Sequence, residues 1–338
     1  MNFKTITRRA LLGALAGATA LTAFTSLASA DKMRLRFHTY YGTEIDQLAK
    51  DFRNAVKDRT DGQVRIQYFR GGELVPSDQF VDAVSNGTVD IVHGVGSYWS
   101  GKVDVGNIET GLPGAWTTIA EAKEVLESPE VKKLLVEAYD EAGALFLGKT
   151  YGSDYDLLTK ERVGGLDDLK NYKIRATSNV AKVLKEFNIP TVALPAQELY
   201  VGLSTGVIDG VIYGSAVDYQ NLKLNESAKY YTRLNMLTPG WTETFLANPD
   251  TWAKLSDEQR KIVEEEIANF GAKVENFLNE GNKHIPEGVF EFSTLPAEDT
   301  KALTTAAQVV WKEEADRSER NKKLIDLLAA NAKAKGRL

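Results

Sequence analysis

A serine between glycines is the first residue whose setting suggests chemistry. Ser204 is the centre of the string GLSTG at 202–206, which matches the G-x-S-x-G pattern of a nucleophile elbow. An elbow needs a strand before the serine and a helix after it. Here a helical pattern precedes Gly206 and a strand-like run, 207–212, follows it. The order favours a helix that ends at a left-handed glycine cap, and it argues against a hydrolase.

The histidines offer no better catalytic or metal-binding pattern. The chain contains three, His38, His93 and His284, and it has no cysteine. None pairs with another ligand at a spacing typical of zinc sites. Near His93 the third glycine of a dinucleotide fingerprint is replaced by Trp99. We therefore expect a protein that is not an enzyme, with no metal site and no cofactor.

One arginine has the chemistry to bind a carboxylate. Arg175 lies in the alternating segment 173–176, between a turn and a helical pattern. Its planar guanidinium offers two parallel donors that match a carboxylate. From spacing alone, an exposed structural arginine is the competing interpretation. Tyr98 follows a strand-like segment, a place where ligands bind in open α/β sheets, although core packing explains a tyrosine there equally well.

The first thirty residues have the order of an export signal. Lys4, Arg8 and Arg9 precede an apolar run, and the small residues 28–30 offer a cleavage site. The run is short and interrupted for a membrane anchor. The Arg8-Arg9 pair suits twin-arginine export and the general route equally. We expect 1–30 to be removed and the mature protein to be soluble in the periplasm, not embedded in the membrane.

Charge and composition narrow the class further. The 338 residues carry a net charge of −6, and removal of the three basic residues in 1–30 makes it −9. An acidic balance argues against nucleic acid, whose binding depends on neutralising phosphates. The absence of cysteine rules out disulfides and a lipid-modified N-terminal cysteine. About 300 residues remain, which suffices for two lobes with separate cores.

The spacing of apolar residues predicts two α/β units. Strand and helix patterns alternate as β-α-β-α-β from about 35 to 92 and again from 173 to 212. Such runs favour parallel strands with helices on their faces. Capping residues at Ser77, Thr118 and Ser256 mark helix starts. The helix after Ser256 is long enough to bridge both units, and a last helical stretch covers about 298–333.

The ordered motifs of the chain resemble those of substrate-binding proteins of TRAP transporters, of the dicarboxylate-binding DctP type. The matching segments, all in the order and spacing of that family, are TDGQV at 60–64, GEL at 72–74, LDDLKNYKIR at 166–175, ELY at 198–200 with Leu203, Gly206 and DG at 209–210, and Asn248, Trp252 and Leu255. The resemblance covers nearly all of 34–330.

This resemblance implies an α/β, two-lobed, periplasmic-binding-protein-like fold with crossing strands and a long helix that spans both lobes. The expected division is 31–153 plus 241–283 for lobe I and 154–240 plus 284–338 for lobe II. It also implies a receptor that closes by a hinge on a small organic acid and then meets the membrane permease subunits of a TRAP transporter.

The resemblance assigns the carboxylate clamp to Arg175. Tyr155 and Tyr213 stand where sialic-acid-binding members have an arginine and an asparagine, and Ile212 replaces a glutamate that serves metal-assisted keto-acid members. With Trp241 they suggest an aromatic pocket for a monocarboxylate with an apolar or aromatic body. Glu73 and Tyr98 complete the candidate ligand contacts. The alternative for Tyr213 is packing between the lobes.

Two other functions stay open at this stage. A binding protein of an ATP-driven importer would have the same architecture, and an exported hydrolase would use Ser204. Nothing in the residues identifies the ligand.

Overall fold

Two separate sheets organise the part of the chain that the structure describes. This computed structural model describes residues 32–337, so the predicted export signal at 1–30 lies outside it. The strands are β1 (Met33–Thr39), β2 (Val64–Phe69), β3 (Ile91–Val95), β4 (Leu145–Tyr151), β5 (Leu157–Thr159), β6 (Ile174–Arg175), β7 (Thr191–Val192), β8 (Gly210–Ile212), β9 (Tyr230–Arg233), β10 (Thr242–Ala247) and β11 (Glu291–Thr294).

Helices flank both sheets. They are α1 (Asp46–Arg59), α2 (Phe80–Ser85), α3 (Gly106–Thr110), α4 (Ile119–Leu126), α5 (Pro129–Glu141), α6 (Ser178–Lys185), α7 (Leu199–Thr205), α8 (Ala216–Asn221), α9 (Pro249–Ala253), α10 (Asp257–Lys283), α11 (Ala297–Ala315) and α12 (Glu319–Ala334). Among the described residues, no helix is long and apolar enough to cross a bilayer.

The strand order shows how the chain moves between the sheets. The first sheet has the order β2-β1-β3-β10-β4 and the second β11-β9-β5-β8-β6-β7. In each, a parallel β-α-β-α-β core is joined by antiparallel strands from elsewhere in the chain. The chain crosses from one sheet to the other at 152–156, at 234–241 and at 284–290. The predicted α/β class and both β-α-β-α-β runs are confirmed.

Helix α10 contacts elements of both sheets. It packs on α1 and β4 at one end and on α8 near the other. There the Val217 amide donates to Asn282 Oδ1 at 3.0 Å, and Gly281 lies so close to Val217 that a Cβ would be 2.4 Å from that side chain. The capping box at its start, between Ser256 and Gln259, is present as predicted.

Two local predictions differ from the structure. Ser77 does not cap a helix: it lies in a 3-10 turn, Ser77–Gln79, and α2 begins after Gln79 without a side-chain cap. The final helical stretch is broken at 316–318, because Ser318 accepts from the Asn321 amide at 3.1 Å and starts α12 anew.

The last helix connects the end of the chain to the first half of the molecule. Helix α12 packs against α5 and α3, which flank the first sheet, and Arg320 pairs with Asp104 at 3.2 Å. Helix α11 packs against α6 of the second sheet instead. The predicted division places 284–338 with the second lobe as a whole, and those boundaries stay a prediction.

Candidate ligand-binding site

Two adjoining cavities lie where the sheets meet. In the inner cavity only about 20 Å³ is free for a water-sized molecule. The lining residues are Tyr40, Val95, Tyr98, Thr110, Gly111, Pro113, Tyr155, Thr177, Asn179, Val180, Tyr213, Met236, Leu237, Gly240 and Trp241. Tyr40, Tyr98 and Tyr213 each follow the carboxyl end of a strand, which is where open α/β sheets bind ligands. Tyr155 and Trp241 come from the crossing segments.

The outer cavity is larger and more open, with about 680 Å³ of such free space. It shares Tyr40, Tyr98 and Thr177 with the inner cavity, so the two are parts of one cleft. Arg175 lines the outer part, together with the segment 193–198 from the second sheet. The cleft therefore has an apolar and aromatic interior with an arginine beside it.

Arg175 is held in one orientation by backbone carbonyls. It ends strand β6 and is only 3% exposed. Its Nε donates to the Leu194 oxygen at 3.0 Å, and its Nη1 donates to the Ile212 oxygen at 3.2 Å. Within residues 32–337 no carboxylate lies within 4 Å of the guanidinium, and its side-chain neighbours are the hydroxyls of Tyr98 and Tyr155. The side chain is therefore fixed in place, yet its charge has no anionic partner in the described chain.

Aromatic groups surround this cation. The Tyr213 ring centroid lies 5.2 Å from Arg175 Cζ, a distance typical of a cation–π contact. Burial alone lowers the pKa of Arg175, but the hydroxyls of Tyr155, Tyr98 and Tyr213 outweigh burial and leave the pKa above its ordinary value. The guanidinium is therefore charged in the cleft.

Tyr155 presents an unused hydroxyl to the inner cavity. The residue is 5% exposed, and its hydroxyl has no hydrogen-bond partner among the described residues. Its ring lies 6.1 Å from that of Trp241, at an angle of 56°. Burial raises the pKa of Tyr155, and Arg175 partly offsets that rise. A neutral phenol that can donate or accept is thus available to a ligand.

A buried carboxylate that the sequence analysis missed orients two walls of the cavity. Glu243 is fully buried in β10 and accepts from Tyr41 Oη at 2.6 Å, from Trp241 Nε1 at 2.9 Å and from Tyr40 Oη. His93 Nε2 lies 2.7 Å from its other oxygen. The available signal was a single charged residue in a strand-like run that is otherwise uncharged.

The charge of Glu243 is maintained by these neighbours. Burial on its own raises the pKa of the carboxyl. His93 and the hydroxyls of Tyr40 and Tyr41 lower that pKa by more than burial raises it, so the net pKa is below its usual range. The anion therefore fixes the rings of Tyr40 and Trp241 through charge-assisted hydrogen bonds. These rings form part of the inner cavity wall.

Asn179 is a second residue that the sequence analysis did not select. It lies in the first turn of α6, four positions after Arg175, and is 3% exposed. Its Nδ2 donates to the Asn107 oxygen at 3.0 Å, whereas its Oδ1 has no partner among the described residues. Because the backbone carbonyl accepts only from the amide nitrogen, Oδ1 is the free end of this side chain.

The structure brings together five of the six predicted site residues. Tyr98, Tyr155, Tyr213 and Trp241 line the inner cavity, and Arg175 lies beside them. Glu73 lines neither cavity. Its carboxylate accepts from the Arg70 amide at 2.8 Å and from Arg70 Nη1 at 3.3 Å, so a residue three positions away draws it to the surface.

The rejected catalytic patterns have ordinary structural explanations. Ser204 is exposed on α7, its hydroxyl donates to the Val201 oxygen at 3.1 Å, and Gly206 ends the helix with φ +77° as predicted. His38 Nε2 contacts the Arg70 oxygen at 2.8 Å and His93 faces Glu243. Within 32–337, His, Asp and Glu side chains form no cluster of three that suits a metal ion.

A two-sheet molecule with a cleft between the sheets, crossed by several chain segments, has the architecture of hinge-closing binding proteins. The profile of the DctP family, described as "Bacterial extracellular solute-binding protein, family 7", matches residues 41–318. The chain belongs to this family, which consists of periplasmic receptors of TRAP transporters and not of enzymes. Receptors of this class bind small carboxylates and work with membrane permease subunits.

Similar proteins carry several ligands. A monocarboxylate 2-oxoacid-binding periplasmic protein from Nostoc sp. is 27% identical over 267 residues, or 75% of this chain and 73% of the relative. A TRAP solute-binding protein from Chromohalobacter salexigens, with bound (S)-(+)-2-amino-1-propanol, has a TM-score of 0.82 at 20% identity and covers 88% of this chain and 95% of its own. One from Desulfovibrio salexigens, with bound orotic acid, has a TM-score of 0.80 at 20% identity and covers 90% and 99%.

Proposed function

We propose that this receptor binds the carboxylate of a small organic acid on Arg175 and closes its two lobes around it. The observation that carries the proposal is a buried, charged guanidinium with no carboxylate partner in the described chain. A buried ion without a counter-ion is strongly unfavourable, so such a site has a purpose beyond stability. A ligand anion supplies the missing charge.

The free donors of Arg175 suit this task. A guanidinium has five N–H donors, and hydrogen bonds to Leu194 and Ile212 use two of them. The remaining donors suffice for a two-point contact with a carboxylate. The two carbonyls hold the side chain in advance, so little conformational freedom is lost when the ligand binds.

The relatives support an acidic ligand. The Nostoc protein is named for monocarboxylate 2-oxoacids, and the Desulfovibrio protein holds orotic acid, which is also a carboxylic acid. The Chromohalobacter protein holds an amino alcohol instead. At 20% identity that protein shares the fold with this chain, and its ligand does not decide the chemistry beside Arg175.

Closure by a hinge is supported by the crossing segments and by contacts across the cleft. At the crossing, Ser153 Oγ donates to Ser215 Oγ at 2.6 Å. At the mouth, Gln197 Nε2 donates to the Tyr40 oxygen at 3.4 Å. We propose that 31–153 plus 241–283 and 154–240 plus 284–338 move as the two lobes, except that α12, at the end of the second range, moves with the first lobe because it packs against α5 and α3. Bending at a few such segments is the usual form of hinge motion.

The test is ligand binding by Arg175 variants. Purified mature protein is screened against a panel of organic acids by thermal shift, and hits are measured by calorimetry. Arg175→Ala should weaken the best hit by roughly 2–5 kcal/mol, since the ligand carboxylate would be left buried and unpaired. Arg175→Lys keeps the charge but loses the planar fork, so it should weaken binding less.

Arg65→Ala is the matched control. Arg65 is exposed on β2 and lines neither cavity, so its loss should not change affinity. Unliganded melting temperatures show whether each variant folds. If Arg175→Ala folds and binds as tightly as the wild type, the assignment of the carboxylate to Arg175 is wrong.

A further inference from the structure

We propose that the ligand is a ring-bearing monocarboxylate that also carries a hydrogen-bond donor, and that Asn179 is the residue that recognises this donor. The inference rests on the proposed function, because it takes the Arg175 contact with the carboxylate as given. It adds three properties of the ligand: its number of charges, the shape of its body and one further polar group. Each of these follows from a different part of the cavity.

The inner cavity has no charge for a second carboxylate. Among the described residues that line it, none is an acid, a lysine, an arginine or a histidine. Arg175 is the cation beside the cavity, and its free donors match one carboxylate. A second carboxylate in the interior would be buried without a counter-ion, which is strongly unfavourable. The inner cavity therefore has no place for a second carboxylate beyond the one that Arg175 binds.

Aromatic side chains shape the cavity for a flat body. Five rings line it: Tyr40, Tyr98, Tyr155, Tyr213 and Trp241. The Tyr40 and Tyr98 centroids lie 6.0 Å apart in an edge arrangement, and hydrogen bonds to Glu243 fix the Tyr40 and Trp241 rings. Rigid rings offer stacking and edge contacts to another ring. A flat ring that enters while the cleft is open uses these walls better than a flexible chain does.

Asn179 Oδ1 requires a donor. The Nδ2 of Asn179 donates to the backbone oxygen of Asn107. Asn107 is fixed in turn, because its side-chain Nδ2 donates to Glu314 Oε1 at 2.8 Å. Oδ1 is buried and unpaired among the described residues, and it can only accept. The unpaired Tyr155 hydroxyl can donate or accept, so it does not select between ligands. Asn179 therefore selects a hydroxyl or N–H group on the ligand.

The test uses matched benzoates as probes. The 3- and 4-hydroxybenzoates have one carboxylate, a ring and a hydrogen-bond donor. The corresponding methoxybenzoates lack the donor. Isophthalate and terephthalate carry a second carboxylate in place of the hydroxyl. We expect hydroxybenzoate to bind the wild type, and the methoxy and dicarboxylate analogues to bind at least tenfold more weakly. A buried acceptor left without a donor accounts for a loss of this size.

Variants connect the preference to Asn179. Asn179→Leu, nearly the same size, should reduce the hydroxy-to-methoxy affinity ratio to about one, and Asn179→Ala does the same if the leucine variant does not fold. Asn221→Ala, an exposed control at the end of α8, should leave the ratio unchanged. An unchanged ratio in both Asn179 variants overturns the role of Asn179.

Other outcomes separate this inference from the proposed function. If malonate or succinate binds more tightly than every benzoate and Arg175→Ala abolishes that binding, the receptor function stands and the ring monocarboxylate is wrong. Equal affinity for hydroxy and methoxy probes overturns the donor requirement alone. If no organic acid binds in an Arg175-dependent way, the proposed function fails, and this inference fails with it.

Discussion

Substitution of Asp156 by asparagine should make the protein more stable at neutral pH and leave it nearly unchanged in acid. Asp156 lies in the first crossing segment and is 3% exposed. Its Oδ2 accepts from Tyr231 Oη at 2.7 Å and its Oδ1 from the Leu234 amide at 2.8 Å. Asparagine has the same shape and can keep both contacts, because Oδ1 accepts from the amide and the tyrosine oxygen can accept from Nδ2.

The size of the effect follows from the pKa of Asp156. Burial raises this pKa from 3.8 to about 6, although the hydrogen bonds from Tyr231 and Leu234 oppose the rise. At about 1.4 kcal/mol per pKa unit, the folded protein disfavours the ionised form by roughly 3 kcal/mol. Between pH 4 and 6 the folded state binds more protons than the unfolded chain, so wild-type stability falls as pH rises. The penalty is complete above pH 6 and absent below about pH 4.

Urea denaturation of the mature protein at several pH values between 4 and 8 measures this difference. The variant minus wild-type free energy of unfolding should be near zero at pH 4, rise between pH 4 and 6, and level off near 3 kcal/mol, because all other titrating groups are common to both proteins. Asp326→Asn, at an exposed position of α12, is the control and should show a constant difference.

Two results would refute this reasoning. A constant difference across the range would mean that Asp156 is not strained by burial in its ionised form. A difference of opposite sign, with the variant less stable at neutral pH, would mean that the hydrogen bonds from Tyr231 and Leu234 stabilise the anion more than burial penalises it. The first result would remove the pH-dependent contribution of Asp156 to stability, and the second would reverse its sign.

Two further substitutions test the cavity walls. Glu243→Gln should lower the free energy of unfolding by about 3 kcal/mol, because it removes a buried charge that faces His93 and three ring donors. Urea denaturation measures this change. Stability equal to wild type would show that the charge is unimportant. Gly240→Ala should destabilise the fold and weaken ligand binding, since a Cβ there would lie 2.1 Å from Tyr155 Cβ. Gly101→Ala, where a Cβ meets nothing within 4 Å, is the control for calorimetry, and equal affinity in both variants would contradict the prediction.

Features set by neighbours in sequence could be predicted from the chain. The periodicity of 173–212 predicted β6, α6, β7, α7 and β8, and the left-handed cap at Gly206 followed from its position after the helical pattern. Capping at Thr118 and Ser256 was also confirmed, since each side chain accepts from an amide three residues later. These contacts span only a few residues, so a single sequence contains all the necessary information.

Features set by distant partners could not be predicted. Glu243 joins Tyr40, which lies 203 positions earlier, and no local pattern indicates that the two meet. Asn179 is defined by Asn107, 72 positions away. Glu73 stays a prediction from the family resemblance; in the structure its carboxylate contacts Arg70, three positions away, and it lines neither cavity. The tertiary structure determines which of these residues come into contact, and a single sequence does not show it.

The burial of Arg175 also offers a physical reason for ligand-dependent closure. In the proposed hinge motion, opening the cleft would return water to the guanidinium, and closing it without a ligand would bury an unpaired cation. A ligand can shift such an equilibrium only by its differential affinity for the two states. An anion on Arg175 removes the penalty in the closed state alone, so one residue would both bind the carboxylate and make closure depend on it. Arg175→Leu should then close without ligand, and small-angle scattering of the unliganded variant checks this: a radius of gyration equal to that of the unliganded wild type would contradict the coupling.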